Sequence, residues 1–214
     1  LENQIKGTSK EHYLTEIRAV ITKCTFSYTR QIEMKGLGHA ILCGETLIGD
    51  QPFAVLLADD LCDAPSKGVL AQMVELYKKY GCSIVAIEEI PKEDTNKYGV
   101  IAGNEIEPGI YMVKDMVEKP EPEVAPSNLA IIGRYILTPD IFNIIRETKP
   151  GKGGEIQITD ALLTQAKNGM VLAFKFEGHR FDCGSIDGFV KATNYFYDKE
   201  TKKEAAAKKA SGAK

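Results

Sequence analysis

No apolar run in this chain approaches the roughly 20 residues needed to span a bilayer, and the N-terminus carries no signal-peptide pattern. A soluble, cytoplasmic protein is expected. Cysteine is sparse: Cys24, Cys43, Cys62, Cys82 and Cys183 are odd in number and scattered, with no Cys-x-x-Cys of the kind that clasps zinc. They read as reduced, mostly buried thiols. A strong excess of either charge is missing too. The formal net charge is -3, so neither nucleic acid nor an anionic membrane is indicated as a partner. The chain lacks the Gly-x-Gly-x-x-Gly spacing of a dinucleotide fingerprint and any evident internal repeat. It also shows no nucleophile with a paired base, which favours direct group transfer over a covalent intermediate.

What is present suits one globular domain. With 214 residues, 43% hydrophobic and 27% charged, the chain can build one substantial core. The organising stretch is Val55 to Asp60, an apolar run ending in two adjacent carboxylates, between a turn over Ile48 to Pro52 and a loop over Leu61 to Lys67. Such a run reads as a strand buried on both faces. Ligands of open α/β sheets bind beyond the C-terminal ends of strands, so two negative charges there suggest a divalent cation, a sugar hydroxyl, or both. Gly68 to Tyr80 follows as a helix with Leu70, Met73, Val74 and Tyr77 inward, stopped by Gly81. Ser83 to Ile90 is another buried strand. Strand, helix, strand in this order implies parallel neighbours joined by a right-handed crossover, and an α/β fold of three layers.

Upstream, Tyr13, Leu14, Ile17, Val20 and Ile21 form one face of a helix that Ser9 can cap, and Cys24 to Gln31 alternates as a strand. Lys35-Gly36-Leu37-Gly38-His39-Ala40 opens the next helix. Its glycines permit close backbone approach to a ligand, although Gly-x-Gly before a helix is common and more often only a tight turn. His39 reads as a packed helix residue. Downstream, Tyr98 to Ile101 starts a short strand, Gly103 to Gly109 is a turn-rich excursion, and Tyr111 to Pro120 is a strand. On it Glu118 and Lys119 point to opposite faces and so do not pair with each other. Leu129 to Leu137 is an apolar strand, Thr138-Pro139-Asp140 opens a helix, and Glu155 to Lys167 is another, closed by Gly169 as a left-handed cap. Val171 to Glu177 and Arg180 to Gly184 are strands, and helix returns at Ser185. From Thr201 the chain turns Lys- and Ala-rich, a frayed helix or disordered tail.

Asp59 with Asp60, Glu118 and Asp182 therefore stand at strand ends. If those strands are neighbours, Asp59 and Asp182 can converge on one Mg²⁺, which takes hard oxygen ligands, while Lys119 neutralises a phosphate. Glu118 suits sugar hydroxyls, because an ionised carboxylate only accepts hydrogen bonds.

Several motifs occur in a telling order. They are Gln31-x-x-x-Lys35-Gly36-Leu37-Gly38-His39-Ala40, Ala58-Asp59-Asp60, Tyr98-Gly99-Val100, Val117-Glu118-Lys119-Pro120, Pro126-Ser127-Asn128-Leu129-Ala130, Gly133-Arg134-Tyr135, Gly154-Glu155-Ile156-Gln157-Ile158-Thr159-Asp160-Ala161 and Asp182-Cys183-Gly184. From about Gln31 to Phe196 the chain resembles the bacterial UTP:glucose-1-phosphate uridylyltransferases, the UDP-glucose pyrophosphorylases. The resemblance implies a Rossmann-like, mostly parallel sheet with helices on both faces, in a nucleotidyltransferase domain over 1–200 followed by a tail over 201–214. It implies UTP and glucose-1-phosphate as substrates, Mg²⁺ as cofactor, and a homo-oligomer for the complete protein. Gln31 and Gly36 would read the uracil edge, and Asp59 and Asp182 would hold Mg²⁺. Asp60, Gly99 and Glu118 would contact glucose, with Ala130 lining its pocket and Lys119 on the sugar phosphate. Glu155 is assigned to capping and hydrogen bonding between elements.

Two departures stand out. Family members begin with a strand and a Gly-x-Gly-Thr-Arg loop, then Pro-x-Thr-Lys, and nothing in Leu1 to Arg30 matches them. The chain thus reads as N-terminally truncated, and this polypeptide is expected to be inactive or nearly so. Ala58 stands where the family usually has proline. The competing expectations are a thymidylyl- or adenylyltransferase, and a non-catalytic module binding sugar phosphate or nucleotide.

Overall fold

A computed structural model describes residues 2–211, which divide between two compact units, 1–32 and 33–214. The first unit carries α1 (Glu2–Ile5) and α2 (Glu11–Lys23), tied by an ion pair between Arg18 and Glu2. Ser9 does not cap α2. Lys10 holds the N-cap position without a side-chain bond, and the Ser9 carbonyl lies 3.0 Å from His12 Nδ1. Nor does Cys24 to Gln31 form a strand: it has no ladder partner among the described residues, and alternation alone cannot satisfy a strand's amides and carbonyls.

The second unit runs α3 (Gly36–Cys43), α4 (Glu45–Ile48), β1 (Phe53–Leu56), β2 (Asp60–Asp63), α5 (Val69–Tyr80), β3 (Ser83–Glu89), β4 (Gly99–Glu107), β5 (Ile110–Glu118) and β6 (Leu129–Leu137). It continues with α6 (Ile141–Glu147), α7 (Ile158–Asn168), β7 (Val171–Lys175), β8 (His179–Asp182) and α8 (Ile186–Ser211). Six strands form one sheet in the order β1-β6-β3-β7-β5-β4, and β2 with β8 makes a separate ribbon. Strands β1, β3, β4 and β7 point one way, and β5 and β6 the other. Strand direction is therefore mostly parallel, but β3 with β7 is the one parallel pairing among the described residues. Strands β1 and β3 are parallel as expected without being neighbours. The apolar β6, nearly buried along its length, lies between them and hydrogen-bonds both.

Three layers follow from the alternation of β3. Val85 and Ile87 pack with Ile41 of α3, Ile141 and Ile145 of α6 and Leu162 of α7, whereas Ile84 and Ala86 pack with Val69 and Met73 of α5. Strand β1 is not buried on both faces: among the described residues it pairs only with β6, at the sheet edge, and one of its faces carries the exposed Ala54 and Leu56. It also stops at Leu56. Asp60 to Asp63, read as loop, is a strand instead, in register with β8 from Asp60↔Asp182 to Asp63↔His179.

Other boundaries moved for local reasons. Strand β4 continues to Glu107 and turns into β5 through Pro108 and Gly109, replacing the expected excursion. Gly103 marks a register shift in it, where an added Cβ would lie 2.4 Å from the Met112 carbonyl oxygen. Glu155 to Gln157 is extended rather than helical, because Ile156 N–H donates to the Lys35 carbonyl at 2.8 Å and the Ile156 carbonyl accepts Gly38 N–H at 2.9 Å. Gly81 caps α5 with φ +64°, while Gly169 after α7 is extended, not left-handed. Helix α8 runs past Thr201 to Ser211, and the last residues of the expected tail, 212–214, lie outside the described residues. No described helix is long and apolar enough to cross a membrane.

The cysteines are less buried than expected: Cys24 is exposed, Cys82 buried, and the other three intermediate. Burial pushes the Cys82 thiol up to about 11, which leaves almost no thiolate at neutral pH. Iodoacetamide at pH 8 should therefore alkylate Cys24 readily and Cys82 only after denaturant is added. Peptide mass spectrometry reads this directly, and equal labelling of both in the native chain would contradict the packing around β3.

Candidate active site

The corner carrying Asp59 is built by β6. Leu57 N–H donates to the Gly133 carbonyl at 2.9 Å as the chain leaves β1. Arg134, itself buried, then donates to the carbonyls of Leu57 at 3.1 Å, Gly133 at 2.8 Å and Asp60. A rigid guanidinium thus satisfies three carbonyls where the backbone reverses. From the other side, Cys183 N–H donates to the Asp59 carbonyl at 2.7 Å. This sets Asp59 beside Asp182, as expected. An added Cβ on Gly184 would lie 3.1 Å from Asp182 Oδ1 and 3.4 Å from Asp59 Oδ2, so both carboxylates flank one point. The described residues hold no group of three or more His, Cys, Asp or Glu fit for a metal. Two hard oxygen donors, however, are the kind of protein set Mg²⁺ uses when phosphates supply the rest.

Behind this pair lies a network that sequence reasoning missed. Tyr98 Oη donates to Asp182 Oδ2 at 2.7 Å, Arg180 Nη2 lies 3.4 Å from the same oxygen, and Gly184 N–H donates to Oδ1 at 3.1 Å. Arg180 also donates through Nε to Asp60, stacks 4.9 Å from the Tyr98 ring centre, and approaches Glu88 at 3.7 Å. Burial opposes ionisation of Asp182, yet the Tyr98 hydroxyl and the Arg180 guanidinium hold its carboxyl below the usual range. Burial pushes Glu88 up, with Arg180 opposing. One signal was available: Arg180 and Asp182 are two apart on a strand and so share a face.

Asp60 does not face an open sugar site. It is only 5% exposed, its Oδ2 accepts Gly133 N–H at 2.6 Å, and its Oδ1 accepts from Arg180. Lying opposite Asp182 in the ribbon, it is enclosed between β6 and β8.

Glu118 and Lys119 come together, contrary to the alternation argument. Strand β5 ends at Glu118, and Lys119 takes a left-handed φ of +48°, with its N–H donating to the Tyr98 carbonyl at 3.0 Å. That turn brings Lys119 Nζ within 3.6 Å of Glu118 Oε1. A lysine held in this sparsely populated region is a local strain of the kind that clusters at functional sites. Glu118 Oε2 accepts from Thr159 Oγ1 at 3.1 Å. A cavity of about 210 Å³ opens here, bordered by Gly99, Glu118, Lys119, Tyr135, Glu155 and Gln157. Gly99 pairs with Glu118 across β4 and β5, and an added Cβ would lie 2.7 Å from Thr159 Cγ2.

The remaining expected residues divide. Ala130 is fully buried and one position out of phase with Ile131, which borders the cavity, so it is not a cavity wall. Gly36 has φ +86°, and an added Cβ would lie 2.7 Å from Glu155 Cβ, so packing against the Glu155–Ile156 segment already requires glycine there. Glu155 has the expected internal bonds, its carbonyl accepting Gly151 N–H at 2.8 Å and its carboxylate accepting Gln157 Nε2 at 3.3 Å. Gln31 belongs to the 1–32 unit.

Comparison with known proteins points one way. The family model described as nucleotidyl transferase matches residues 2–199. A UTP–glucose-1-phosphate uridylyltransferase of Pseudomonas aeruginosa is 67% identical over 92% of this chain and 71% of its own length. The enzyme of the same name from Bacillus subtilis is 43% identical over 94% of the chain and 69% of its own length. A crystal structure of UDP-glucose pyrophosphorylase complexed with UDP-glucose, 62% identical, matches with a TM-score of 0.87 over 90% of this chain and 74% of that one. With relatives this similar over most of both chains, and the expected acidic pair in place, the chain belongs to the nucleotidyl transferase family, among the UTP–glucose-1-phosphate uridylyltransferases.

Proposed function

We propose that this protein is a cytoplasmic, homo-oligomeric enzyme that transfers a uridylyl group from UTP to glucose-1-phosphate, giving UDP-glucose and pyrophosphate. The observation that carries the reading is the approach of Asp59 and Asp182 across Gly184, together with the Glu118–Lys119 pair that lines a small cavity. Asp59 and Asp182 would hold Mg²⁺, which would neutralise charge on the triphosphate. Lys119 binds the sugar phosphate. Glu118 accepts from glucose hydroxyls, while Gly99 keeps its side of the cavity clear. Within the 33–214 unit, Gly36 lies against uracil. Asp60 serves by holding Gly133 and Arg180 rather than by touching sugar.

In this reading an oxygen of glucose-1-phosphate attacks the α-phosphorus of UTP in line. The new P–O bond forms as the bond to the β-phosphate oxygen breaks, and pyrophosphate leaves. No side chain becomes covalently attached, so positioning and charge neutralisation carry the rate. Calorimetry tests the site. UDP-glucose with Mg²⁺ should bind the 214-residue chain and bind Glu118→Gln more weakly. No detectable binding, or equal binding by the two, would overturn the assignment.

A further inference from the structure

The two oxygens of Asp182 have different surroundings. Oδ1 accepts Gly184 N–H at 3.1 Å and lies on the side shared with Asp59. Oδ2 accepts the Tyr98 hydroxyl at 2.7 Å and sits 3.4 Å from Arg180 Nη2. Rotating the carboxylate would break both contacts to Oδ2. We propose that Tyr98 is a positioning residue, which ties back one oxygen of Asp182 so that the other is presented beside Asp59 to a divalent cation. The inference rests on the reading of Asp59 and Asp182 as cation ligands.

Tyr98 is itself firmly placed. Its N–H donates to the Thr95 carbonyl at 3.3 Å, its carbonyl accepts Lys119 N–H at 3.0 Å, and its ring lies against the Arg180 guanidinium at 4.9 Å. The hydroxyl therefore cannot follow Asp182 if that carboxylate turns. The same residue thus supports the left-handed backbone of Lys119 through its carbonyl and orients Asp182 through its hydroxyl. Partners that orient a ligating carboxylate commonly change metal affinity about 10–100-fold when removed.

The two duties separate in one variant. Tyr98→Phe keeps the backbone bond to Lys119 and the ring face against Arg180, and removes only the hydroxyl with its contacts to Asp182 and Arg180. Mn²⁺ added alone to the chain, with free Mn²⁺ read by electron paramagnetic resonance, gives affinity without turnover. The expected result is Mn²⁺ binding by the wild type, its loss in Asp182→Asn, and about tenfold weaker binding in Tyr98→Phe, with an unchanged far-ultraviolet circular dichroism spectrum. Tyr98→Phe binding within twofold of wild type, while Asp182→Asn loses binding, would overturn the positioning role alone. No Mn²⁺ binding by the wild type, or full binding by Asp182→Asn, would overturn the cation reading and this inference with it.

Discussion

Lys119→Ala should lower turnover of glucose-1-phosphate about 10²–10³-fold, the loss typical when one preorganised charge-stabilising group is removed. The lysine has a left-handed backbone at φ +48°, locked to the Tyr98 carbonyl, and its ammonium lies 3.6 Å from Glu118, beside which it lines the cavity. A flexible lysine on a surface strand would lose entropy each time it engaged a phosphate. Here the backbone has been set beforehand, so the charge is delivered where the phosphate would lie. The measurement is steady-state kinetics on the product of the complete reading frame, comparing wild type, Lys119→Ala and Lys119→Arg. Arginine keeps the charge but not the compact ammonium, and should recover only part of the activity. A loss of less than threefold in Lys119→Ala would remove Lys119 from the proposed site.

Arg180→Met should destabilise the fold by about 3–5 kcal/mol, because it leaves a buried carboxylate without its cation. The Arg180 and Asp60 side chains are each 7% exposed, and Asp60 also holds Gly133 N–H, so water cannot readily replace the guanidinium. Adding Asp60→Asn to Arg180→Met removes the uncompensated charge and should recover part of the loss. Urea unfolding reads both values. A loss below about 1 kcal/mol in Arg180→Met would mean the ion pair behaves as an exposed one.

The same network has an acid-side signature. Its sign follows from the depressed folded-state pKa of Asp182, held down by Tyr98 and Arg180 against burial. That contribution is fully present above the unfolded carboxyl value near about 4 and is lost as pH falls through the lower folded value. Arg180→Met should flatten this part of the acid unfolding curve.

What could be read locally in the sequence formed as expected. The doubly buried β3, the helix α5 with its Gly81 cap and the apolar β6 needed only runs of residue type and a terminating glycine. What depended on distant partners did not show. Asp60 to Asp63 is a strand only because β8 lies against it, and Glu155 to Gln157 is extended only because Lys35 and Gly38 bond to it. The parallel sense of β1 and β3 was legible, but the insertion of β6 between them was not. In the site, Asp59 and Asp182 could be matched through the order of motifs, and their approach is seen in the fold. Glu118 and Lys119 were separated by a rule that holds only inside a strand, and Lys119 is one residue past the end of one. Arg180 and Arg134 were given no role of their own, because a buried guanidinium is recognised by the carbonyls and carboxylates around it, and those lie far apart in sequence, at 57–60, 88, 133 and 182.

The most direct test is a product assay on the product of the complete reading frame, supplied with glucose-1-phosphate, Mg²⁺ and, in separate reactions, UTP, dTTP or ATP. The expected result is UDP-glucose with stoichiometric pyrophosphate from UTP, and much slower turnover of the other two nucleotides. Equal or faster turnover of dTTP or ATP would contradict the uridylyl assignment, and binding of UDP-glucose without any turnover would contradict catalysis itself.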